Sequence, residues 1–325
     1  MFPEHNVWRP AASIKVLQER ASLLSEIRSF FVHRGVLEVE TPVLSSSANP
    51  DAAIDPMLSG FCPPGGHRPE PLYLQTSPEF PMKRLLAAGS GSIFQICRAF
   101  RNGECGRLHN PEFTLLEWYR IDFDHFQLMD EVDALLVQLL PGYAAAQRLR
   151  YTDLFLIHTG LDLFRATDAQ LQERAEAADV VIPVSVQSEW LIEILFELCV
   201  GPWLQQQKGV IVYDYPAAQA SLSQLSAQDS RVAERFEYFF QGMELANGFH
   251  ELADAVEQRR RFEAENLKRQ HSGQEQLPPD QHFLQALEHG LPECSGVALG
   301  VDRLLMLRCG VDHIGEVLTF PFDRA

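Results

Sequence analysis

Two strand-like segments, Ile93 to Arg101 and Phe113 to Arg120, are joined by a polar stretch that carries Gly103 and Gly106. This pairing constrains the fold more than any other feature of the chain. A polar connection with no helical periodicity between two strands implies an antiparallel pair and argues against a parallel βαβ unit. Strand alternation then places Phe113, Leu115, Glu117 and Tyr119 on one face. A phenyl ring, an aliphatic group, a carboxylate and a phenol make a poor core stripe. They suit a face that holds a purine and an ammonium group, with the ring to stack and the carboxylate to pair.

The remaining periodicities fill in an α+β architecture. Ser13 is an N-cap for an amphipathic helix carrying Ile14, Leu17, Ala21, Leu24, Ile27, Phe30 and Phe31, and Gly35 stops it. Val36 to Pro42 reads as extended, and Ser45 to Pro71 as a long loop or irregular hairpin rich in Ser, Pro and Gly. A strand at Leu72–Thr76 precedes a helix at Pro78–Ala88, and a further helix spans His125–Leu140. Residues 143–208 read as a helix-rich insertion without a chemical motif. Strands are expected at Val210–Tyr215, Phe236–Leu245 and Ser295–Val301, and helices at Ala253–Gln270 and Arg303–Leu307. Antiparallel strands flanked by helices define one domain spanning residues 1–325.

Charge narrows the partners. With 27 basic and 44 acidic side chains the net charge is 27 − 44 = −17, a field that repels polyphosphate backbones. A compact ligand such as ATP is still within reach of a few arginines and a metal ion. The six cysteines form no CxxC pair, and no histidine cluster completes a zinc spacing. Reduced thiols, an N-terminus without a signal-peptide core and no apolar run near the ~18–20 residues of a membrane span point to a soluble, cytoplasmic protein.

Three further segments carry chemistry. Arg101 and His109 sit on the hairpin, where an arginine fork can meet phosphate oxygens. Ser295-Gly-Val-Ala-Leu-Gly-Val-Asp-Arg303 is a glycine-bearing strand that runs into a helix, with Arg303 at a terminus that favours anions. Gly242 to Leu252 places Glu244 and Glu251 on either side of an expected turn, where the two acids would share a Mg²⁺ bound to ATP phosphates.

In this order the segments resemble the three signature motifs of class II aminoacyl-tRNA synthetases, and the strings RLHNPEF, ELANGF and GVALGVDRL resemble the lysine type. The resemblance covers nearly the whole chain. The first catalytic-domain helix begins by Ser13, so the anticodon-binding OB-fold of the lysyl enzyme is expected to be absent. The chain most resembles the EpmA/PoxA/GenX family of lysyl-synthetase paralogues, which modify translation elongation factor P.

That resemblance implies activation of (R)-β-lysine by ATP, then transfer of the acyl group to a lysine ε-amino group of elongation factor P. It also implies a homodimer whose interface uses the segment ending at Pro42. Residue by residue, Arg101 matches the arginine that grips the α-phosphate and Arg303 the one that contacts the γ-phosphate, both catalytic. Asn102, Gly103, His109, Asn110, Phe113, Glu244, Leu245 and Gly300 match ATP-binding positions. Ser77, Pro78, Glu79, Glu117, Tyr119, Glu251 and Ala298 match positions of the amino-acid pocket, and Glu244 and Glu251 match metal-binding acids.

Two departures stand out. The Arg-x-Glu pattern of the second motif reads Arg101-Asn102-Gly103 here, with the acid one place later at Glu104. Either Glu104 takes over adenine recognition or backbone groups do. Ala298 stands where the lysyl enzyme has glycine; one added methyl beside a substrate is worth about 1–3 kcal/mol in selection. The alternatives are a truncated lysyl-synthetase-like enzyme that acylates tRNA and a non-catalytic amino-acid-binding paralogue.

Overall fold

The computed structural model describes residues 8–65, 70–178 and 188–325. Parts of two sequence expectations, the loop at 45–71 and the insertion at 143–208, extend outside the described residues.

Helix α1 (Ile14–Val32) starts at Ser13, whose hydroxyl accepts a hydrogen bond from the Val16 amide. Gly35, at φ 68°, turns the chain into the two-residue strand β1 (Leu37–Glu38). The segment expected as a loop or irregular hairpin contains β2 (Leu44–Ser45) and β3 (Leu58–Phe61), which flank β4 (Glu70–Leu74) in a small antiparallel sheet. Helix α2 (Glu79–Ala87) leads to the hairpin β5 (Ile93–Phe100) and β6 (Glu112–Ile121), antiparallel as the sequence implies. Helix α3 (His125–Leu139) follows at once, because Asp124 and Gln127 form a reciprocal capping box.

The helix-rich segment also contributes an edge strand, β7 (Gln147–Arg150), before helices α4 (Tyr151–Thr159), α5 (Asp168–Glu176), α6 (Ser188–Cys199) and α7 (Gly201–Leu204). Strand β8 (Val210–Pro216) pairs parallel with β7. The strand expected at Phe236–Leu245 is two strands, β9 (Val232–Phe240) and β10 (Met243–His250). Gln241 and Gly242, at φ 49° and 74°, reverse the chain between them. The apolar run hid this turn, because aromatic residues flank it on both sides. Helices α8 (Ala255–His271) and α9 (Gln281–His289) precede β11 (Cys294–Gly300), which feeds α10 (Val301–Cys309).

The main sheet runs β1-β5-β6-β11-β10-β9-β8-β7. Its six inner strands are antiparallel, and both outermost pairs are parallel. Alternation divides the sheet into two surfaces. Leu116, Trp118, Phe236, Tyr238, Val297 and Leu299 face a core built with α1, α3 and α10. The residues between them, Leu115, Glu117, Tyr119, Arg235, Glu237, Gly296 and Ala298, line a cavity on the other surface. The face covered by α1, α3 and α10 holds the largest apolar cluster, while on the other face smaller clusters built with α4, α6 and α7 and with α2 leave the charged cavity between them.

Candidate active site

The cavity has a volume of about 460 Å³, within the ordinary range for a small-molecule site. It is built on the middle of the sheet, so rigid strands position its side chains. Phe113, Leu115, Glu117 and Tyr119 all line it, as the alternation of β6 implies. The cavity has two chemically different ends.

One end is acidic. Glu79, Glu117 and Glu251 converge there with Tyr119, and all four are buried. Tyr119 donates to Glu117 Oε1 at 2.7 Å. Lys83, fully buried, donates to Glu79 Oε1 at 2.6 Å and lies 2.5 Å from Glu251 Oε2. Burial alone would lower the ammonium's pKa, but the attraction of Glu251 and Glu79 outweighs it and the net shift is upward. The acids are under the opposite pressure. Burial, then the charge of Glu79, pushes Glu117 up to about 8. Burial, partly offset by Lys83, pushes Glu251 up to about 7. Three carboxylates against one ammonium leave this end short of positive charge, which is what a ligand carrying two ammonium groups supplies.

Gly296 makes the arrangement possible. A Cβ there would fall 2.3 Å from the Tyr119 ring and 2.5 Å from Glu251 Oε1. The glycine of this strand therefore admits neighbouring side chains; Gly300 is under no such constraint, since its nearest neighbours would be Arg303 carbons at 3.7–3.8 Å.

The other end is basic and aromatic. Arg101 stacks over the Phe113 ring at 5.1 Å, and its buried Nε has no hydrogen-bond partner. Arg303, in the first turn of α10, donates to the Glu244 carbonyl at 2.7 Å and reaches His109 Nε2 at 2.8 Å. Burial and the adjacent Arg303 lower the His109 pKa, so the ring is a neutral acceptor. Gly103 takes φ 78°, which favours glycine, and turns the hairpin so that Glu104 lines the cavity 3.6 Å from Arg101 and 3.9 Å from His109. Glu104 thus stands beside Arg101 and His109, the hairpin residues expected to meet a nucleotide.

Several expected residues fall elsewhere. Asn102 does not line the cavity; its amide donates to Asp55 Oδ2 at 2.9 Å. Gly103 acts through the turn, and Pro78 is the N-cap residue of α2. Asn110 borders the cavity, but its amide donates to the Glu112 carbonyl and accepts from the Phe322 amide, which fastens the C-terminal segment. Ser77 does line the cavity, and it also accepts from the Glu79 amide at 3.3 Å, which holds the start of α2.

The expectation for Glu244 and Glu251 is also corrected. No turn separates them: Glu244 lies near the start of β10 and Glu251 just past its end. Seven residues of strand at about 3.3 Å each put roughly 23 Å between them, too far for one ion, and Lys83 already holds Glu251. The neighbour of Glu244 is Glu237 on β9, which sequence reasoning missed. A register shift between Glu244 and Ala246 turns Glu244 onto the cavity surface. Although 43% of its side chain remains open to the cavity, removal from bulk water and the charge of Glu237 push Glu244 up to about 7. Arg235 pairs with Glu237 and bonds Asn247 and the Gln219 carbonyl. The available signal was the alternation Arg235-Phe-Glu237-Tyr, charged on one face and aromatic on the other. Lys83 was missed because a Glu79/Lys83 pair at i,i+4 reads as an ordinary surface pair on a helix.

A glycine-bearing strand feeding an arginine helix, an arginine over a phenyl ring and an antiparallel sheet beneath them describe a class II synthetase catalytic domain. The chain belongs to the family of class II tRNA synthetases (D, K and N), which it matches over residues 5–324. It is 51% identical over 320 residues to an elongation factor P–(R)-β-lysine ligase of Edwardsiella ictaluri (strain 93-146), with 98% of each chain covered. It is 50% identical over 324 residues to the protein of the same name from Salmonella typhi, with 99% of each covered. The corresponding Salmonella arizonae protein is 49% identical over 324 residues. Among the described residues, no helix is long and apolar enough to cross a membrane.

Proposed function

We propose that this chain is a ligase that activates (R)-β-lysine with ATP and transfers it to a lysine ε-amino group of elongation factor P. The observation that carries the reading is the division of one cavity into an acidic end with three carboxylates and a basic end with two arginines and a stacking ring.

In this reading the acidic end receives the two ammonium groups of (R)-β-lysine. Glu117, Tyr119 and Glu251 hold one, Glu79 is placed for the other, and the substrate carboxylate then points towards Arg101. Phe113 supports the adenine. Arg101 and Arg303 neutralise phosphate oxygens, so that the carboxylate attacks the α-phosphorus in line and pyrophosphate leaves. Catalysis is positioning plus electrostatic stabilisation, with no covalent enzyme intermediate. The amine of the protein substrate then displaces AMP.

The donor set suits Mg²⁺, a hard cation bound by carboxylates and phosphate oxygens. Glu237 and Glu244, which both line the cavity, would hold it. Bound there, the ion neutralises charge on the phosphates. Exposed Val32, Leu37 and Leu44 beside the Pro42 segment support its use as a homodimer interface. Free cysteines at all six positions suit the reducing cytoplasm.

The test is to incubate the protein with ATP, α-lysine or either β-lysine enantiomer, and elongation factor P or tRNA, and to weigh the products. Mass added to elongation factor P with (R)-β-lysine is expected. Acylated tRNA without modified protein would favour a tRNA-charging enzyme, and no ATP–pyrophosphate exchange with any amino acid would favour a binding protein without catalysis.

A further inference from the structure

On the helix-covered surface of the sheet, directly behind Glu251, lies a cluster that the reaction does not use. His125 from the first turn of α3, Glu234 from β9 and His250 from β10 offer ligand atoms that all lie within 4.8 Å of one another. None of the three lines the cavity. His250 and Glu251 are neighbours on one strand and therefore point to opposite surfaces. Local spacing in the sequence excluded a zinc motif because these ligands come from three separate elements.

We propose that His125, Glu234 and His250 form a binding site for a divalent transition-metal ion of the zinc type, separate from the magnesium site. Three observations support it. His125 is 5% exposed, yet neither ring nitrogen has a hydrogen-bond partner. Buried polar atoms are seldom left in this state, and an unmade bond of this kind calls for a partner such as an ordered water or an ion. His125 Nδ1 faces Glu234 Oε2 at 3.8 Å, and His250 Nδ1 lies 2.5 Å from the same oxygen.

Second, His250 Nε2 lies 2.6 Å from Glu293 Oε1, the position of a carboxylate that orients a metal-bound imidazole. Gln224 Nε2 reaches the same point, donating to Glu234 Oε2 at 3.3 Å and lying 2.5 Å from His250 Nδ1. Third, the ion-pair partners of the carboxylates here are histidines. Among the described residues, no Lys or Arg pairs with Glu234 or Glu293, and Asp124 adds a further acid beside His125. Two imidazoles and a carboxylate match the ligand preference of zinc, which binds nitrogen and oxygen at about 2.0–2.2 Å. Ligand atoms around one tetrahedral ion at that distance are about 3.4 Å apart, so the cluster takes up the ion by shifts of about 1 Å, in which His250 and Glu234 part and His125 approaches.

The site is tested on the whole chain, stripped with chelator and equilibrated with zinc chloride at micromolar concentration, by elemental analysis and thermal unfolding. One zinc per chain and a raised unfolding midpoint are expected. His125→Met, which fills the space with an apolar chain, and His250→Gln should each abolish both effects. Glu244→Gln should retain them, which separates this site from the magnesium site. Absence of bound zinc in the native chain, or binding that survives His125→Met, would overturn the proposal. The cluster would then be a histidine–carboxylate network held by protons alone.

Discussion

Replacing Lys83 with methionine keeps the length of the side chain and removes one charge from among three carboxylates. Loss of one partner from a buried ion pair costs about 3–5 kcal/mol when the other stays charged. Lys83 contacts both Glu79 and Glu251 at 2.5–2.6 Å with no solvent access, so the full range applies. The acids escape that cost by binding protons. At about 1.4 kcal/mol per pH unit, 3–5 kcal/mol divided between two groups is roughly one to two units of pKa each.

A protonated carboxyl no longer attracts the substrate's ammonium. In ATP–pyrophosphate exchange dependent on (R)-β-lysine, measured from pH 6 to 9, the rise of kcat/KM should therefore move about one to two units alkaline in Lys83→Met. At pH 7.5 the KM for (R)-β-lysine should increase roughly tenfold or more. The KM for ATP should hold, because Lys83 contacts Glu79 and Glu251 and none of the residues proposed to bind the nucleotide. Lys83→Arg keeps the charge and should hold the native profile even if its bulk lowers kcat. A native pH profile in a folded Lys83→Met protein, or equal increases in both KM values, refutes the reasoning.

Arg101→Ala should fold normally and lose about 10²–10³-fold in exchange rate, by analogy with single oxyanion donors; normal exchange would remove Arg101 from the chemistry. Ala298→Gly should shift selection from β-lysine towards α-lysine, by roughly tenfold for one methyl beside the substrate, read as a ratio of kcat/KM values. Gly296→Ala should lower stability by about 1–3 kcal/mol and raise the amino-acid KM, because its methyl meets Tyr119 and Glu251; a neutral result would mean the strand can move aside. Glu117 and Glu251 hold their protons to about 8 and 7, whereas an unfolded glutamate releases its proton near 4.3. The folded state therefore binds more protons across this window, and stability falls as pH rises from about 4.5 to 8, by on the order of a few kcal/mol for each group. Urea unfolding at pH 5 and pH 8 should show a smaller decline in Glu117→Gln than in the native chain.

The parts of this molecule legible in its sequence are those that local repetition encodes. The alternation of β6 gave the cavity face, Ser13 and Gly35 bounded α1, and the polar hairpin gave the antiparallel centre. What the sequence concealed depends on partners distant along the chain. Lys83 is four residues from Glu79, a spacing that reads as a solvated pair, and only the packing of α2 against the sheet and α9 makes it a fully buried clamp on Glu251. The Glu244–Glu251 pair misled for the converse reason. Both acids belong to one motif, but an extended strand separates them, and each takes its partner from elsewhere: Glu237 across the sheet and Lys83 from a helix. Proximity in the chain thus says little about which charges share a field. The two ends of the cavity are electrostatically distinct because β10 is long enough to keep its terminal acids apart, so that one can serve a nucleotide's counter-ion and the other an ammonium. A residue inserted into β10 between Asn247 and Glu251 would turn Glu251 to the wrong surface, and amino-acid binding should fail while ATP binding survives.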